Sequence, residues 1–347
     1  MFGIFRTILA TFVVVGHLFG PKFLGMYAVF GFYVLSGYLM TFVMHNTYGY
    51  SRAGRYDFYI NRFLRIYPTY WFSIILSLAI IFLWGSISGL KNNLYPPGDF
   101  FEWFQNLFLV FSVDSEPRLS PASWALTVEL FFYVMIGLGL SRTREMTKIW
   151  FIQSVIYTVF LLITLPSDLW YDRYFPIPAA SLPFSIGAML FHYREKIDRV
   201  KFIKFPLTPV VLMIAICLNF AFSYFIQYKI FDNYMMGAGL YVNLLLMILV
   251  VVSLNEQKPV GWLRKVDVFV GKFSYPMYLC HWQGAAMIYL ISGQELRRSY
   301  LTKDGLVFLV LGYCSVLIIS YIAIKLIDEP VERWRRKFKR NASAKAG

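Results

Sequence analysis

The chain has few charged residues: Asp, Glu, Lys and Arg make up 15% of its 347 residues, whereas soluble domains carry about a quarter. Hydrophobic residues account for 58% and aromatic residues for 20%. This composition excludes an ordinary soluble enzyme and indicates an integral membrane protein. No hydrophilic stretch of domain size is present either. An enzymatic site would therefore have to be built from apolar segments and their short connectors.

Cysteine is also scarce, and Cys217, Cys280 and Cys314 each lie inside an apolar run. Their spacing matches neither a metal site nor a disulfide framework. We therefore expect no bound metal and interpret the three as small core residues. The Gly271-Lys272 pair lacks the upstream glycine of a phosphate-binding loop. The sequence offers no loop of that kind for nucleotide phosphates.

The net charge of +14 would suggest nucleic-acid binding in a soluble protein. Here the basic residues lie in short connectors between apolar runs, at 45–66, 141–148, 192–204 and 256–272, and in the tail at 333–345. The alternate connectors at 89–120, 166–178 and 227–233 are poorer in Lys and Arg, and 292–304 is an exception. This asymmetry follows the positive-inside rule, so we expect no nucleic-acid partner and two cytoplasmic termini.

The apolar runs predict about ten membrane helices in one all-α integral membrane domain over residues 1–336, followed by a basic cytoplasmic tail at 337–347. The predicted spans are 4–19, 25–44, 68–88, 121–140, 149–165, 179–192, 206–226, 234–255, 273–291 and 305–327. A further stretch, FFEWFQNLFLVFSV at 100–113, is too short to span and too apolar for a free loop. We expect a re-entrant or interfacial helix there. The first run lacks a signal-peptide cleavage site and is expected to be retained.

The first apolar run carries two polar residues, Arg6 and His17, eleven positions apart. Eleven residues are almost a whole number of helical turns, so both side chains share one face, roughly 16 Å apart along the axis. A helix presents such a face to protein or water and not to lipid. His17 is therefore a candidate general base inside the membrane, with Arg6 nearer the chain start.

Three further charged residues are candidates for the same site. Arg62 and Arg65, in DFYINRFLRIYPTYW, are neighbours on one helical face. They could clamp phosphates or serve as ordinary positive-inside anchors. Glu129 lies inside the fourth apolar run, where a carboxylate is paired, protonated or functional. It could orient His17, or it could form a structural pair with an arginine.

The remaining motifs supply supporting candidates. VFGFYVLSGYLM contains Ser36 and Tyr38, and its small residues favour close helix packing. SWALTVELFFY contains Trp124 and Thr127, and FSYPMYLCHW places His281 a short way into the ninth span. His281 is either a site residue or an imidazole satisfied by a backbone carbonyl.

Other polar residues at the ends of spans are given no chemical role. His45 and His192 sit in basic connectors. The last span ends in IKLIDEPVERWRR, which predicts a stop at the inner interface with snorkelling arginines and an interfacial Trp334.

Taken together, these stretches resemble the acyltransferase type 3 family of integral-membrane transacylases. The matching stretches are Arg6 with His17, GFYVLSGYLM at 31–40, FYINRFLRIYP at 58–68, SWALTVELFFY at 123–133, SYPMYLCHW at 274–282 and DEP at 328–330. They occur in the family's order almost from end to end. By this resemblance His17 matches the family's essential histidine, and Arg6, Arg62, Arg65 and Glu129 match its arginines and its fourth-span glutamate.

The resemblance implies a ten-helix enzyme that transfers an acyl group, acetyl above all, from cytoplasmic acyl-CoA to a hydroxyl of a cell-envelope glycan or lipid-linked saccharide. It also implies a prokaryotic inner or plasma membrane, with membrane lipids as neighbours. The family often has serine at the position of Ala125. The hydroxyl of that serine is therefore absent here, or is supplied by Ser123 or Thr127.

Other functions remain open at this stage. The donor could carry a succinyl or longer acyl group. Intramembrane His, Glu and Arg residues also form proton relays, so a proton-coupled transporter is an alternative. A non-catalytic membrane scaffold for polysaccharide assembly is another. A scaffold would tolerate His17→Ala and Glu129→Ala but not a packing change such as Gly37→Leu.

Overall fold

The computed structural model describes residues 1–20, 22–84, 94, 96–111, 118–165, 173–197, 204–229, 234–257, 259–292 and 302–336. Within these ranges the chain is helical and contains no strand. The helices are α1 Phe2–Leu18, α2 Lys22–Val43, α3 Arg52–Trp84, α4 Phe100–Phe108, α5 Trp124–Leu138, α6 Arg144–Thr164, α7 Ser181–Ile197, α8 Thr208–Lys229, α9 Tyr234–Glu256, α10 Gly261–Gly271, α11 Ser274–Ser292 and α12 Lys303–Ala323. The π-helical turns Met44–Tyr48 and Ile324–Asp328 extend α2 and α12.

The prediction of an all-α integral membrane protein is confirmed. Seven helical stretches of the described chain are long and apolar enough to cross a membrane, namely Phe23–Tyr48, Arg52–Leu83, Pro121–Leu138, Arg144–Thr164, Thr208–Phe225, Ala238–Glu256 and Lys303–Arg336. Three further helices, α1 and α7 with 17 residues each and α11 with 19, occupy the other predicted spans. The predicted tail at 337–347 lies outside the described residues, as do parts of the connectors 89–120, 166–178, 227–233 and 292–304.

The short apolar stretch predicted near 100–113 is helical, as α4. Its last backbone carbonyls have no partner within the helix, and side chains of α3 supply donors to them. Tyr70 donates to the carbonyl of Asn106 at 2.5 Å, and Trp71 donates to that of Leu107 at 3.0 Å. These bonds hold α4 against the middle of α3.

Two segments that the sequence assigns to connectors are helical in part. The third span was expected to begin at residue 68, but α3 is a continuous helix of 33 residues that begins at Arg52 and includes Pro68. A proline lacks the N–H for one helical hydrogen bond, but membrane helices tolerate this where neighbours satisfy the backbone. The predicted connector 256–272 contains a second short helix, α10. The basic residues of this segment indicated a connector, so the helix was not predicted.

The centre of the bundle is formed by α1 and α2. α1 contacts α2, α10 and α11, and α2 contacts α5, α7 and α9. Two glycines bring α2 and α7 close together: a Cβ on Gly37 would lie 2.1 Å from the carbonyl oxygen of Phe184, and one on Gly187 would lie 2.1 Å from that of Val34. Close packing through small residues, expected from the second span, is therefore present at Gly37.

Candidate functional site

A cavity of about 120 Å³ lies among α1, α2, α3, α5 and α11. Its wall contains five of the residues singled out from the sequence: Arg6, Ser36, Arg62, Arg65 and Glu129. Pockets that enclose a drug-sized ligand measure about 300–1,000 Å³. A ligand larger than a small acyl group would therefore have to extend beyond this space.

Arg62 is held on α3 by contacts that leave one buried donor of its guanidinium group unsatisfied. One of its terminal nitrogens donates to Oδ1 of Asn61 at 2.9 Å, and the other approaches the sulfur of Met40 at 3.4 Å. Its Nε is buried and makes no hydrogen bond. A buried donor without a partner is costly, so this group is suited to a ligand that accepts hydrogen bonds.

Arg6 and Arg65 complete a cationic side of the cavity. Nε of Arg6 donates to the carbonyl of Phe2 at 3.3 Å, and the guanidinium of Arg65 lies 5.4 Å from the centre of the Tyr275 ring. In the described part of the chain, neither of these arginines nor Arg62 forms a salt bridge to a carboxylate within 4.0 Å. Three guanidinium groups without a bound carboxylate form a suitable site for an anion.

Glu129 faces the same cavity but has neutral hydrogen-bond partners. The Ser36 hydroxyl donates to its Oε1 at 2.7 Å, and the Tyr133 hydroxyl also contacts the carboxylate. Arg62 and Arg65 lie within electrostatic range of it. The structural Glu–Arg pair considered from the sequence is therefore replaced by a hydroxyl–carboxylate contact.

His17 is paired with His281, which differs from the contact with Glu129 considered from the sequence. Nδ1 of His17 lies 2.7 Å from Nε2 of His281, and the two rings are nearly parallel, with 13° between their planes and their centroids 4.9 Å apart. His281 is completely buried, and the Trp282 ring lies against both imidazoles. Glu129 is instead bonded by the hydroxyl groups of Ser36 and Tyr133. His281 is therefore placed to orient His17.

The histidine pair lies next to the cavity and is connected to it through Tyr278. Tyr278 lines the cavity, and its backbone carbonyl lies 2.8 Å from Nδ1 of His281, one helical turn further along α11. The Phe32 ring, also in the cavity wall, packs edge-on against Tyr278. His281 thus has both features considered from the sequence, since it bonds a backbone carbonyl and also a candidate site residue.

Three of the supporting candidates lie away from the cavity wall. Tyr38 donates to Oδ1 of Asn255 at 2.5 Å and so joins α2 to α9. Trp124 packs edge-on against the aromatic ring of Tyr174. Thr127 donates to the carbonyl of Leu109, just after α4, at 2.8 Å. Each of these contacts joins two segments of the fold.

The cavity wall contains Ala125, the position at which the family often has serine. Ser123 is buried outside that wall, and the Thr127 hydroxyl is bonded elsewhere. Neither residue supplies the missing hydroxyl to the cavity. Ser36 presents a hydroxyl there, from the opposite helix.

Sequence reasoning missed Arg335, which was expected to be a snorkelling anchor. Arg335 is only 8% exposed, forms an ion pair with Glu332, and donates to Oδ1 of Asn61 at 3.2 Å. Because Arg62 bonds the same amide oxygen, Arg335 extends the basic cluster. Trp334, in contrast, is 66% exposed, as expected of an interfacial residue.

The described residues contain no group of three or more His, Cys, Asp or Glu side chains that could hold a metal ion. In a comparison with known families, a model described as an acyltransferase domain matches residues 2–325. The matched range includes every residue of the cavity wall and both histidines of the pair. No curated protein and no solved structure matches the chain.

Proposed function

The chain belongs to the acyltransferase type 3 family, and from this premise we propose that it transfers an acyl group from cytoplasmic acyl-CoA to a hydroxyl of an envelope glycan or lipid-linked saccharide. The acyl group is acetyl in our proposal. The observation that supports acyl-CoA is the set of three cavity arginines without a bound carboxylate, Arg6, Arg62 and Arg65. The site of action is the inner or plasma membrane of a prokaryote.

The charges in the cavity favour an anionic donor. Three guanidinium groups face one carboxylate, that of Glu129, which is itself bonded to hydroxyl groups. Unpaired charges within a membrane protein are costly and are retained where they bind or transport something. The phosphates of a CoA thioester would supply the missing negative charge, with arginine as their preferred partner.

The position of the arginines agrees with a donor that arrives from the cytoplasm. Arg6 lies near the N-terminal end of α1, and His17 lies near its C-terminal end. The positive-inside pattern assigns the N-terminal end of α1 to the cytoplasmic side. Donor phosphates would then bind at the inner level, and the acceptor would meet His17 at the outer level.

In the proposed reaction His17 acts as the general base. Its imidazole removes the proton from the acceptor hydroxyl while the hydroxyl oxygen attacks the thioester carbonyl. A C–O bond forms, the C–S bond breaks, and the proton on His17 passes to the departing CoA thiolate. Glu129 holds Ser36 and Tyr133 in place and offsets part of the positive charge of the arginines.

Binding and turnover of acetyl-CoA by the protein purified in detergent test this division of roles. The double variant Arg62→Ala/Arg65→Ala should bind acetyl-CoA at least tenfold more weakly, because each charge-assisted hydrogen bond contributes about 1.5–3 kcal/mol. His17→Ala should bind it normally and hydrolyse it about 10²–10⁴-fold more slowly. Arg52→Ala, an exposed position on the same helix, is the matched control and should change neither quantity.

A phosphate-free donor, acetyl-pantetheine, separates phosphate recognition from other defects. Its weak binding should be the same in wild type and in the double variant. No measurable affinity of the wild type for acetyl-CoA would overturn the proposal, as would full turnover by His17→Ala. Substrate uptake without an acyl donor would instead support the proton-coupled transporter, and faster turnover of succinyl-CoA would correct the acyl group.

A further inference from the structure

We propose that His281 is a positioning residue that holds His17 in one tautomer, with the proton on Nδ1 and the lone pair on Nε2. The proposal rests on the proposed role of His17 as the base and names the residue that prepares it. It follows from two hydrogen bonds in series, from His17 to His281 and from His281 to the backbone of Tyr278.

The hydrogen bond between His281 and the backbone carbonyl of Tyr278 determines that Nδ1 of His281 carries a proton. A carbonyl oxygen can only accept, so Nδ1 of His281, 2.8 Å from the carbonyl of Tyr278, must donate. His281 is completely buried, and no described carboxylate contacts it. A charged imidazole is costly in such surroundings. A neutral His281 with its proton on Nδ1 carries a lone pair on Nε2.

The first bond then fixes the tautomer of His17. Nε2 of His281 is an acceptor, so Nδ1 of His17, 2.7 Å away, must be the donor. A neutral His17 that is protonated on Nδ1 has its lone pair on Nε2. The nitrogen that is proposed to accept the proton of the substrate hydroxyl is therefore basic because of a carbonyl group two hydrogen bonds away.

The same chain of bonds stabilises the product of the proton transfer. When His17 gains a proton on Nε2, its Nδ1–H still donates to His281, and the bond becomes charge-assisted and stronger. The imidazole ring of His281 keeps its orientation during the proton transfer, because its Nδ1 remains bonded to the Tyr278 carbonyl. A base oriented by a third group is the general arrangement for activated nucleophiles, and here the third group is a neutral imidazole.

The test compares two substitutions of His281 that differ in one property. His281→Gln retains a carbonyl oxygen that can accept from Nδ1–H of His17, whereas His281→Phe retains the ring shape without an acceptor. The tautomer of His17 is read by ¹⁵N NMR of histidine-labelled protein in detergent. Its signal is assigned by its loss in His17→Ala. Turnover and affinity for acetyl-CoA are measured on the same samples.

We expect His17 to be protonated on Nδ1 in the wild type and in His281→Gln, and to gain an Nε2–H population in His281→Phe. His281→Phe should lower the turnover number by at least about tenfold without changing the Kd for acetyl-CoA, and His281→Gln should recover most of that loss. An Nε2–H tautomer in the wild type would overturn the proposal, and so would equal turnover in the two variants. If the tautomer is as stated but His17→Ala turns over normally, the base itself is wrong, which identifies a failure of the proposed function.

Discussion

The hydroxyl of Ser36 donates to Oε1 of Glu129 at 2.7 Å, across the contact between α2 and α5. This bond gives the intramembrane carboxylate a neutral partner, although Arg62 and Arg65 line the same cavity. The negative and positive groups therefore share the cavity without forming a close ion pair in the described chain. An anionic ligand can bind the arginines without first displacing Glu129 from them.

Glu129→Gln should strengthen donor binding. The amide oxygen can still accept from Ser36, while the negative charge that opposes a phosphate ligand is removed. We expect a Kd for CoA that is a few-fold lower at low salt, and a smaller effect at high salt because screening weakens interactions between charges. The Kd for CoA is measured by isothermal titration calorimetry at two ionic strengths. Weaker binding by Glu129→Gln would contradict this account of the carboxylate.

Gly37→Ala should destabilise the contact between α2 and α7. The new Cβ would lie 2.1 Å from a backbone oxygen of Phe184, which cannot move as a side chain can. The cost should reach or exceed the ~1–3 kcal/mol typical of overpacking, measured as a lower midpoint of thermal unfolding in detergent. Gly25→Ala on the same helix is the control, because its Cβ would meet its nearest neighbour at an ordinary 3.6 Å. Equal midpoints for the two variants would be evidence against the close crossing.

Asp267→Ala should lower the stability of the protein, because it removes a hydrogen bond to the first turn of α1. Oδ1 of Asp267, on α10, accepts from the backbone N–H of Ile4 at 2.8 Å, one of the N–H groups that a helix start leaves unpaired. Loss of such a cap costs about 0.5–2 kcal/mol. Asp267→Asn retains an acceptor and should lose less, as judged by thermal unfolding. An equal loss in both variants would indicate that the charge matters and the hydrogen bond does not.

Gly25→Val should lower turnover with little effect on donor binding. A Cβ at this position would lie 4.0 Å from Nε2 of His17, so the branched methyl groups of valine would extend over the proposed proton acceptor. Gly25→Ala adds only the Cβ at an ordinary distance and should remain active. The measurement is hydrolysis of acetyl-CoA together with its Kd, on samples whose unfolding midpoints agree. Normal turnover by a folded Gly25→Val would place the reacting hydroxyl elsewhere.

The sequence alone predicts the membrane class and singles out five of the residues that line the cavity. Apolar runs of sufficient length have few alternatives to membrane helices. Charged residues within them, such as Arg6 and Glu129, are conspicuous because they are costly in lipid. The contact between Ser36 and Glu129 was not predicted, but both residues were candidates because each lies within a motif.

The partners of His17 and the position of Arg335 could not be predicted from sequence. His17 and His281 are 264 positions apart, and their contact depends on how α1 packs against α11. Spacing along one helix determines a shared face but says nothing about which other helix covers it. Arg335 lies in a basic segment at the end of a span. The sequence there does not distinguish an exposed arginine at the membrane interface from a buried one that donates a hydrogen bond to Asn61.

α1 is one uninterrupted helix from Phe2 to Leu18 that carries both Arg6 and His17. The helix fixes the distance between these two residues along its axis at roughly 16 Å. A donor that contacts both residues must therefore span this distance. An acyl phosphate, whose carbonyl is bonded directly to the phosphate, is too short to reach from one to the other. A donor with a long flexible arm between phosphate and thioester can span the gap. Under the function that we propose, donor length would therefore decide which acyl donor reacts.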